Sequence, residues 1–148
     1  MSSQVVEEHL SAGGVIYRFC RDDIEIVLCG RRSPKLWALP KGTPERNETI
    51  EETASREAKE ETGLEINLGS FIDIIEYWFT SPENDALCHK RVNYYLMEAV
   101  GGDTSLHDYE FDIVEWFAAP LALRAMTYQN EVRVVEKSIA MVKARARK

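Results

Sequence analysis

The chain has 148 residues and a net charge of −7, from 25 acidic and 18 basic side chains. This length predicts a single domain over residues 1–148, and the acidic balance argues against a stable nucleic-acid partner, which would need a basic face. No apolar run is long enough for a membrane helix and the first residues lack the features of a signal peptide, so we expect a cytoplasmic protein without a membrane partner.

The first third of the chain predicts a β-hairpin followed by a short extended segment. Residues 9–19 favour a strand with either a bulge or a close backbone approach at Gly13-Gly14. Residues 24–29 alternate as the second strand of the hairpin. The segment 30–34 is expected to break this strand, and residues 37–42 form the extended piece.

The rest of the chain predicts one internal helix, further strands and two closing helices. The internal helix covers residues 48–62 and ends at Gly63, as at a C′ glycine. Strand patterns, with a turn predicted at 101–103, lie at residues 66–80, 92–100 and 113–117. Helices are predicted at residues 120–126 and 131–147. This order indicates an α/β (α+β) fold, with a central mixed sheet covered by helices on both faces.

The three cysteines are widely spaced and include no Cys-x-x-Cys pair. Their spacing therefore indicates neither a disulfide framework nor a zinc site. Cys20 and Cys29 lie in apolar, strand-like stretches, and we predict that both are buried free thiols.

The internal helix carries acids where apolar residues are expected. Ile50 and Ala54 begin a stripe that would face the sheet. Continuing this stripe by seven residues reaches Glu57 and Glu61, and Glu60 lies on the same arc. Carboxylates near a helix C-terminus need a cationic partner, and Mg²⁺ or Mn²⁺ prefer oxygen ligands. A solvated acidic helix face is the alternative interpretation.

The segment 42–64 resembles the Nudix signature: Gly, five residues, Glu, seven residues, Arg-Glu, an aliphatic, any residue, Glu-Glu, any residue, Gly and an aliphatic. The defined positions are filled by Gly42, Glu48, Arg56, Glu57, Ala58, Glu60, Glu61, Gly63 and Leu64. Ala58 is the smallest acceptable aliphatic residue. The resemblance implies a Nudix-like α/β/α sandwich and a metal-dependent hydrolase that cleaves a phosphoanhydride bond by water attack.

The resemblance also implies roles for the residues of this segment, which we call the Nudix box. Glu57 and Glu61 would be the main ligands of Mg²⁺ or Mn²⁺, and Glu60 a further ligand or the base that deprotonates the attacking water. Gly42 would let the loop fold back so that a backbone carbonyl reaches the metal. Arg56 would orient the acids.

We expect Arg56 to pair with acids of the box, and an acid from another loop to join the site. Arg56 is spaced to pair with Glu52 and with Glu60 on the helix, and Glu48 is expected to contact Arg56 through the fold. Family members often add an acid from a loop outside the box.

Glu110 is the best candidate for that acid. Asp108 and Asp112 are rivals in the same loop, and a plain solvated loop is the alternative.

Substrate contacts are predicted from residues near the box. Lys41 is the strongest phosphate-binding candidate, because Leu-Pro-Lys-Gly precedes the box in many relatives that act on nucleoside polyphosphates. Arg31 and Arg32 are further candidates, with simple solvation as the alternative. Two strand segments carry aromatic residues of which one alternate set could stack a base, with core packing as the alternative. They are Tyr77, Trp78, Tyr94 and Tyr95, and we predict that Tyr77 and Tyr95 are the two that contact the substrate.

The resemblance favours a small-molecule substrate, namely a dinucleoside polyphosphate (Ap4A or Ap6A type) or a nucleoside triphosphate. A diphosphoinositol is less favoured because the chain has no dense basic cluster. A catalytically inactive Nudix fold that binds nucleotides or serves as an interaction module is the alternative, although such proteins usually lose box carboxylates. The pattern leaves open whether the protein is a monomer or a homodimer.

Overall fold

The computed structural model describes residues 5–146 as one seven-stranded mixed sheet with helices on both faces. The strands are β1 (Val6–Cys20), β2 (Asp23–Arg32), β3 (Lys35–Ala38), β4 (Lys41–Gly42), β5 (Leu64–Thr80), β6 (Leu87–Gly102) and β7 (Ile113–Ala118). The helices are α1 (Ile50–Thr62), α2 (Ala119–Ala125) and α3 (Gln129–Ala146), and a short 3₁₀ turn lies at Thr104–Leu106. The mixed α+β architecture predicted from the sequence is confirmed.

The sheet order is β3-β2-β1-β6-β5, with β4 beside β1 and β7 beside β2. Strands β1 and β6 run parallel, from the pair Val6–Leu87 to the pair Tyr17–Glu98. The other pairings are antiparallel. The predicted hairpin is present as β1 and β2.

Two apolar clusters lie on opposite faces of the sheet, because successive side chains of a strand point to opposite sides. One cluster packs α1 through Ala54 and Ala58 against strand residues such as Val27 and Met97. The other packs α2 and α3 through Ala122, Val134 and Val135, together with Leu28 and Leu96. Helices therefore cover both faces, as the sequence predicted.

Gly13 and Gly14 stay in continuous register with β6, opposite Tyr94 and Tyr95, so the predicted bulge is absent. The alternative of a close backbone approach is correct. A Cβ atom at Gly13 would overlap the carbonyl oxygen of Pro40, and the Gly14 N–H donates to that oxygen at 3.3 Å. This approach holds the segment before β4 against β1.

Two strand limits predicted from the sequence were wrong. The segment 30–34 was expected to end the second strand, but β2 continues to Arg32 because it pairs with β3 there. The turn predicted at 101–103 is largely strand, since Gly101 and Gly102 pair with Glu65 and Leu64 of β5. In both cases pairing with a distant strand overrides a local glycine signal.

The helices were predicted to within a few residues. Helix α1 begins at Ile50 rather than at Glu48, and α3 begins at Gln129 rather than at Glu131. The predicted last residue of α3, Arg147, lies outside the described residues. None of the helices within residues 5–146 has the length and apolar character needed to cross a membrane.

Cys29 is buried in the sheet, as predicted, whereas Cys20 is exposed, so that prediction was wrong. Cys20 is the last residue of β1 and pairs with Asp23 at the turn, where every residue from 18 to 23 is exposed. Cys88 is buried at the start of β6.

Candidate active site

Helix α1 is bounded by strong local signals at both ends. Thr49 is the N-cap: its hydroxyl accepts from the Glu52 N–H at 3.1 Å, and the Glu52 carboxylate accepts from the Thr49 N–H at 2.9 Å. This reciprocal pair is a capping box. Gly63 ends the helix in the left-handed region, with φ 76°. The Glu52 carboxylate thus serves the cap rather than the predicted pair with Arg56.

The rotation of α1 about its axis places its three acids near the C-terminal end, Glu57, Glu60 and Glu61, in different environments. Ala54, Ala58 and Glu61 face the sheet, and Glu61 is only 3% exposed. The Glu57 side chain is mostly covered at the edge of this face, whereas the Glu60 side chain is 48% exposed. The acidic stripe predicted from the spacing is therefore present as a gradient from core to solvent.

Glu61 is buried without a cationic side chain to neutralise it. Its Oε2 accepts a hydrogen bond from the backbone N–H of Lys41 at 2.9 Å, and it forms no salt bridge within residues 5–146. The pKa of the Glu61 carboxyl is raised to about 8, mainly by burial and also by the negative charges of Glu57, Asp108 and Glu110, while the hydrogen bond from Lys41 opposes the change. The site is thus short of positive charge beside a buried carboxylate.

Arg56 is the cation that pairs with the acids around α1, and four acids share it. Its guanidinium contacts Glu48 at 2.6 Å, Glu57 at 2.8 Å, Glu60 at 3.2 Å and Glu45 at 3.6 Å. The hydrogen bond from Arg56 lowers the pKa of the Glu48 carboxyl to about 2, and that carboxylate in turn raises the pKa of the guanidinium. The predicted contacts of Arg56 with Glu48 and Glu60 are both present.

Gly42 leaves room for the Glu57 carboxylate. A Cβ atom at Gly42 would overlap the carboxyl group of Glu57, so any larger residue would displace that group. The Arg56 Nη1 donates one hydrogen bond to the Glu57 Oε1 and one to the Glu60 Oε2, so Arg56 also fixes the position of the Glu57 carboxylate. The glycine therefore sets where the Glu57 carboxylate can lie.

The three acids surround one region but do not yet converge on one point. The ligand oxygens of Glu57, Glu60 and Glu61 are not grouped within 4.8 Å of one another among the described residues. Arg56 occupies the space between Glu57 and Glu60. An ion bound here would therefore compete with Arg56 for the oxygens of Glu57.

The acidic loop before β7 is attached to this helix. The Asp108 N–H donates to the Glu60 carbonyl oxygen at 2.9 Å, and Glu110 pairs with Arg31 at 3.2 Å. The carboxylate of Asp112 accepts from the Arg32 N–H at 2.8 Å. The structure thus brings Asp108 and Glu110 close enough to Glu61 for their charges to raise its pKa, whereas Asp112 is held against β2. It also places Arg31 beside Glu110, and the backbone of Arg32 against Asp112.

A cavity of about 400 Å³ opens beside Lys41 on the α3 side of the sheet. Its lining includes Tyr77 and Tyr94 from β5 and β6, and Tyr128 from the segment before α3. Tyr95 points to the opposite face, where it contacts Glu51 of α1 at 3.2 Å. The alternate aromatic set beside the cavity is therefore Tyr77 and Tyr94.

The two remaining aromatic candidates make other contacts. Tyr95 packs edge to face on Phe71, with ring centroids 5.7 Å apart, and it belongs to the cluster under α1. Trp78 stacks on His89 at 4.4 Å. Neither side chain lines the cavity beside Lys41, so the structure does not bring Tyr95 together with Tyr77 as predicted, because the two side chains point to opposite faces of the sheet.

Glu131 was not identified from the sequence. It is 3% exposed, and its carboxylate accepts from the Leu39 N–H at 3.0 Å and from the Tyr94 hydroxyl at 3.3 Å. The Lys41 Nζ lies 3.6 Å away. Burial raises the pKa of the Glu131 carboxyl, and Lys41 opposes that change. The only local signal was an acid in the first turn of α3, which is ordinary for a helix.

The fold and the box together define the class of this chain, and a family model for the NUDIX domain matches residues 8–137. The chain belongs to the Nudix family. A Mycobacterium tuberculosis protein named as a putative mutator protein, MutT4, is 37% identical over an aligned length of 132 residues, and the match covers 85% of this chain and 52% of that protein. An ADP-ribose pyrophosphatase of Methanocaldococcus jannaschii is 33% identical over 89 residues, 58% of this chain and 50% of that protein. The chain spans about half the length of these curated relatives.

Solved structures share the fold. A C. elegans Ap4A hydrolase in a binary complex has a TM-score of 0.73 and 22% identity, over 92% of this chain and 98% of that chain. The NUDIX domain of Shewanella oneidensis NrtR, complexed with ADP ribose, has a TM-score of 0.65 and 16% identity, over 96% of this chain and 90% of that chain. At these identities the likeness concerns the fold alone.

Proposed function

We propose that this protein is a metal-dependent hydrolase that cleaves a phosphoanhydride bond in a nucleoside polyphosphate by water attack. The observation that carries the proposal is Glu61, a buried carboxylate with no salt bridge within residues 5–146 and with Glu57 and Glu60 on the same helix. Four acids share Arg56, so the site has an excess of negative charge. A divalent cation would neutralise this excess.

Glu57, Glu60 and Glu61 would hold that cation, because carboxylate oxygens are the ligands that Mg²⁺ and Mn²⁺ prefer. The metal would shield the phosphate oxygens and lower the pKa of a bound water. Gly42 keeps space for the Glu57 carboxylate, and a backbone carbonyl near it is a further ligand candidate. Glu61 is oriented by the Lys41 N–H.

Proton transfer is assigned to an acid that water can reach. Glu60 is half exposed and accepts from Arg56 at 3.2 Å, so we infer that it is the base or a further ligand. Glu110 is the candidate from outside the box, and its present partner is Arg31. Arg56 would hold Glu57 and Glu60 in place, with Glu48 fixing its orientation at 2.6 Å.

The substrate is inferred to be a dinucleoside polyphosphate or a nucleoside triphosphate. Lys41 lies at the edge of both the box and the cavity, where its ammonium group suits a phosphate. Tyr77 and Tyr94 give the cavity an aromatic wall that suits a nucleoside. The Ap4A hydrolase with the same fold supports this class of substrate. Arg31 and Arg32 remain candidates for more distant phosphates.

The test is a product-resolved hydrolysis screen with Mg²⁺ and, separately, with Mn²⁺. The panel contains diadenosine polyphosphates, canonical and oxidised nucleoside triphosphates, ADP-ribose and other nucleotide sugars. Reaction in ¹⁸O-labelled water identifies the attacked phosphorus. We expect metal-dependent cleavage of a dinucleoside polyphosphate or a nucleoside triphosphate, abolished in Glu57→Gln and retained in Glu136→Gln. The latter removes the same charge from an exposed position on α3.

Preferential cleavage of ADP-ribose would keep the hydrolase assignment but overturn the substrate class. Nucleotide binding without turnover of any compound, by a folded protein with metal present, would overturn the enzyme and favour the inactive binding module. Activity that persists in both Glu57→Gln and Glu61→Gln would show that the metal site is wrongly assigned.

A further inference from the structure

Three metal-ligating side chains of different chemistry meet at the start of the parallel strands β1 and β6. Glu7 and His9 are two residues apart on β1, so their side chains share one face of the sheet. Cys88 is the residue of β6 that lies opposite Glu7 in the register. Parallel pairing therefore places a carboxylate, an imidazole and a thiol side by side.

The ligand atoms of these three residues all lie within 4.8 Å of one another. The Glu7 Oε2 is 3.4 Å from the His9 Nε2 and 3.6 Å from the Cys88 Sγ. In a tetrahedral zinc site, with metal–sulfur bonds of about 2.3 Å and metal–nitrogen or –oxygen bonds of about 2.0 Å, neighbouring ligand atoms are about 3.3–3.6 Å apart. The two measured separations match the edges of such a tetrahedron.

We propose that Glu7, His9 and Cys88 form a binding site for a divalent transition-metal ion of the zinc class, separate from the carboxylate site of the Nudix box. Thiolate and imidazole ligands favour Zn²⁺ and Co²⁺ over the hard cations Mg²⁺ and Mn²⁺. The box offers only oxygen ligands, so the two sites select different ions. The thiol that now donates to Glu7 would lose its proton to the solvent on binding.

The neighbours of the three side chains orient them for this role. The Asn84 Nδ2 donates to the Glu7 Oε1 at 3.0 Å, which leaves Oε2 as the oxygen directed at His9 and Cys88. The His9 ring lies against Phe79, with centroids 5.8 Å apart. Such supporting contacts fix the direction of metal ligands.

The exposure of the group suits three protein ligands and one water. Cys88 is 1% exposed, so the sulfur lies at the floor, whereas the side chains of Glu7 and His9 are 39% and 42% exposed. The open side gives an ion access and leaves room for a water as the fourth ligand. A bound ion would also connect β1 to β6 through Glu7 and Cys88, which are 81 positions apart in the chain.

The test is a Co²⁺ titration of the untagged, reduced protein, followed by absorption spectroscopy. Thiolate coordination produces a charge-transfer band in the near ultraviolet, and the carboxylates of the box cannot produce it because they contain no sulfur. We expect one equivalent of Co²⁺ to saturate this band, one equivalent of Zn²⁺ to abolish it, and excess Mg²⁺ to leave it unchanged.

The variants assign the ligands. Cys88→Ser is expected to remove the band, while Cys20→Ser, at an exposed cysteine elsewhere, keeps it. His9→Ala and Glu7→Gln change partly exposed side chains and should weaken Co²⁺ binding by about tenfold or more. The box variant Glu57→Gln/Glu61→Gln should retain the band even though it is expected to lose hydrolysis.

Absence of the band in the wild-type protein would overturn the proposal. A band that survives Cys88→Ser would also overturn it, and so would a Co²⁺ affinity unchanged by both His9→Ala and Glu7→Gln. His9→Ala leaves the apolar core intact. The Co²⁺ affinities of His9→Ala and Glu7→Gln therefore test the proposal even if Cys88→Ser folds poorly.

Discussion

Glu61 places an ionisable carboxyl group on the face of α1 that packs against the sheet. Its 3% exposure and the neighbouring charges of Glu57, Asp108 and Glu110 disfavour the ionised form. An apolar residue would pack there at lower cost. The presence of an acid at this position is explained by a function that requires negative charge. Binding of a metal cation at the proposed site is such a function.

Glu61→Gln is expected to lower turnover by about 100-fold or more, because several kcal/mol of charge stabilisation depend on the metal. The stability of the metal-free protein should stay about the same, because a carboxyl group with a pKa of about 8 is already mostly neutral at pH 7 and the amide oxygen can still accept from Lys41. Steady-state kinetics and urea unfolding, both at pH 7, measure the two effects.

Glu136→Gln is the matched control, because it removes one exposed carboxylate from α3 and should change neither property. A Glu61→Gln protein that is less stable than the wild type in the absence of metal would contradict the interpretation of Glu61 as a functional charge. It would indicate a structural acid instead.

Glu48 has the opposite kind of environment, since Arg56 donates to it at 2.6 Å and lowers its pKa to about 2. Its folded-state pKa lies below the ordinary value of 4.5 for a glutamate. The ion pair therefore contributes stability above pH 4.5, and this contribution is lost as the pH falls towards 2.

Glu48→Gln is expected to destabilise the protein at pH 7 and to have a progressively smaller effect between pH 4.5 and 2.5. The measurement is the difference in free energy of unfolding between wild type and variant at several pH values. A difference that is constant over this range would mean that the ionised form of Glu48 is not the form that stabilises the fold.

Helix α3 is connected to the Nudix box through one buried carboxylate. Glu131 accepts from the Leu39 N–H, and the Lys41 Nζ lies 3.6 Å away, so the helix holds the segment that enters the box. Lys41 in turn donates its backbone N–H to Glu61. We infer that Glu131 is a positioning residue for Lys41.

Glu131→Gln should raise KM by about fivefold with a smaller change in kcat, since a misplaced phosphate-binding cation costs on the order of 1 kcal/mol. Glutamine can still accept from the Leu39 N–H, so the fold should persist. The measurement is a double-mutant cycle of kcat/KM with Lys41→Met. If Glu131 acts through Lys41, its substitution has little further effect in the Lys41→Met protein. Equal effects in both backgrounds would show that it acts independently.

At the scale of the whole molecule, the sheet separates two sets of functional side chains. Helix α1 and its acids lie on one face, while the cavity with Tyr77 and Tyr94 lies on the face covered by α3. Lys41 reaches both, through its backbone N–H to Glu61 and its ammonium group to Glu131. A substrate that spans from the metal to the cavity would therefore pass Lys41.

Metal binding should stabilise the whole fold, because the ion binds the folded chain and not the unfolded one. Mg²⁺ at 100 times its Kd is expected to add about 2.7 kcal/mol, which corresponds to a rise in Tm of roughly 5–10 °C for a chain of this size. The experiment is thermal unfolding in EDTA and then in Mg²⁺. The Glu57→Gln/Glu61→Gln protein should show no rise. An equal rise in that variant would place the Mg²⁺ elsewhere.

The sequence determined the family, the mixed sheet and the residues of the Nudix box. These features depend on short-range patterns: period-2 strands, a 3.6-residue helix period, the terminating Gly63 and the spacing of nine defined positions. Local chemistry also placed Glu61 towards the sheet, since the stripe that begins at Ile50 and Ala54 reaches Glu61 seven residues later. Such features need no knowledge of which distant segments meet.

Only the tertiary structure decided the contacts between distant segments. It placed Glu131 against Lys41, it selected Tyr77 and Tyr94 rather than Tyr95 for the cavity, and it extended β6 through the glycines predicted as a turn. It also brought Cys88 beside Glu7, although the cysteine spacing gave no sign of a metal site. The physical reason is that parallel register and the packing of α3 join residues far apart in the chain, and no local periodicity encodes which of them will meet.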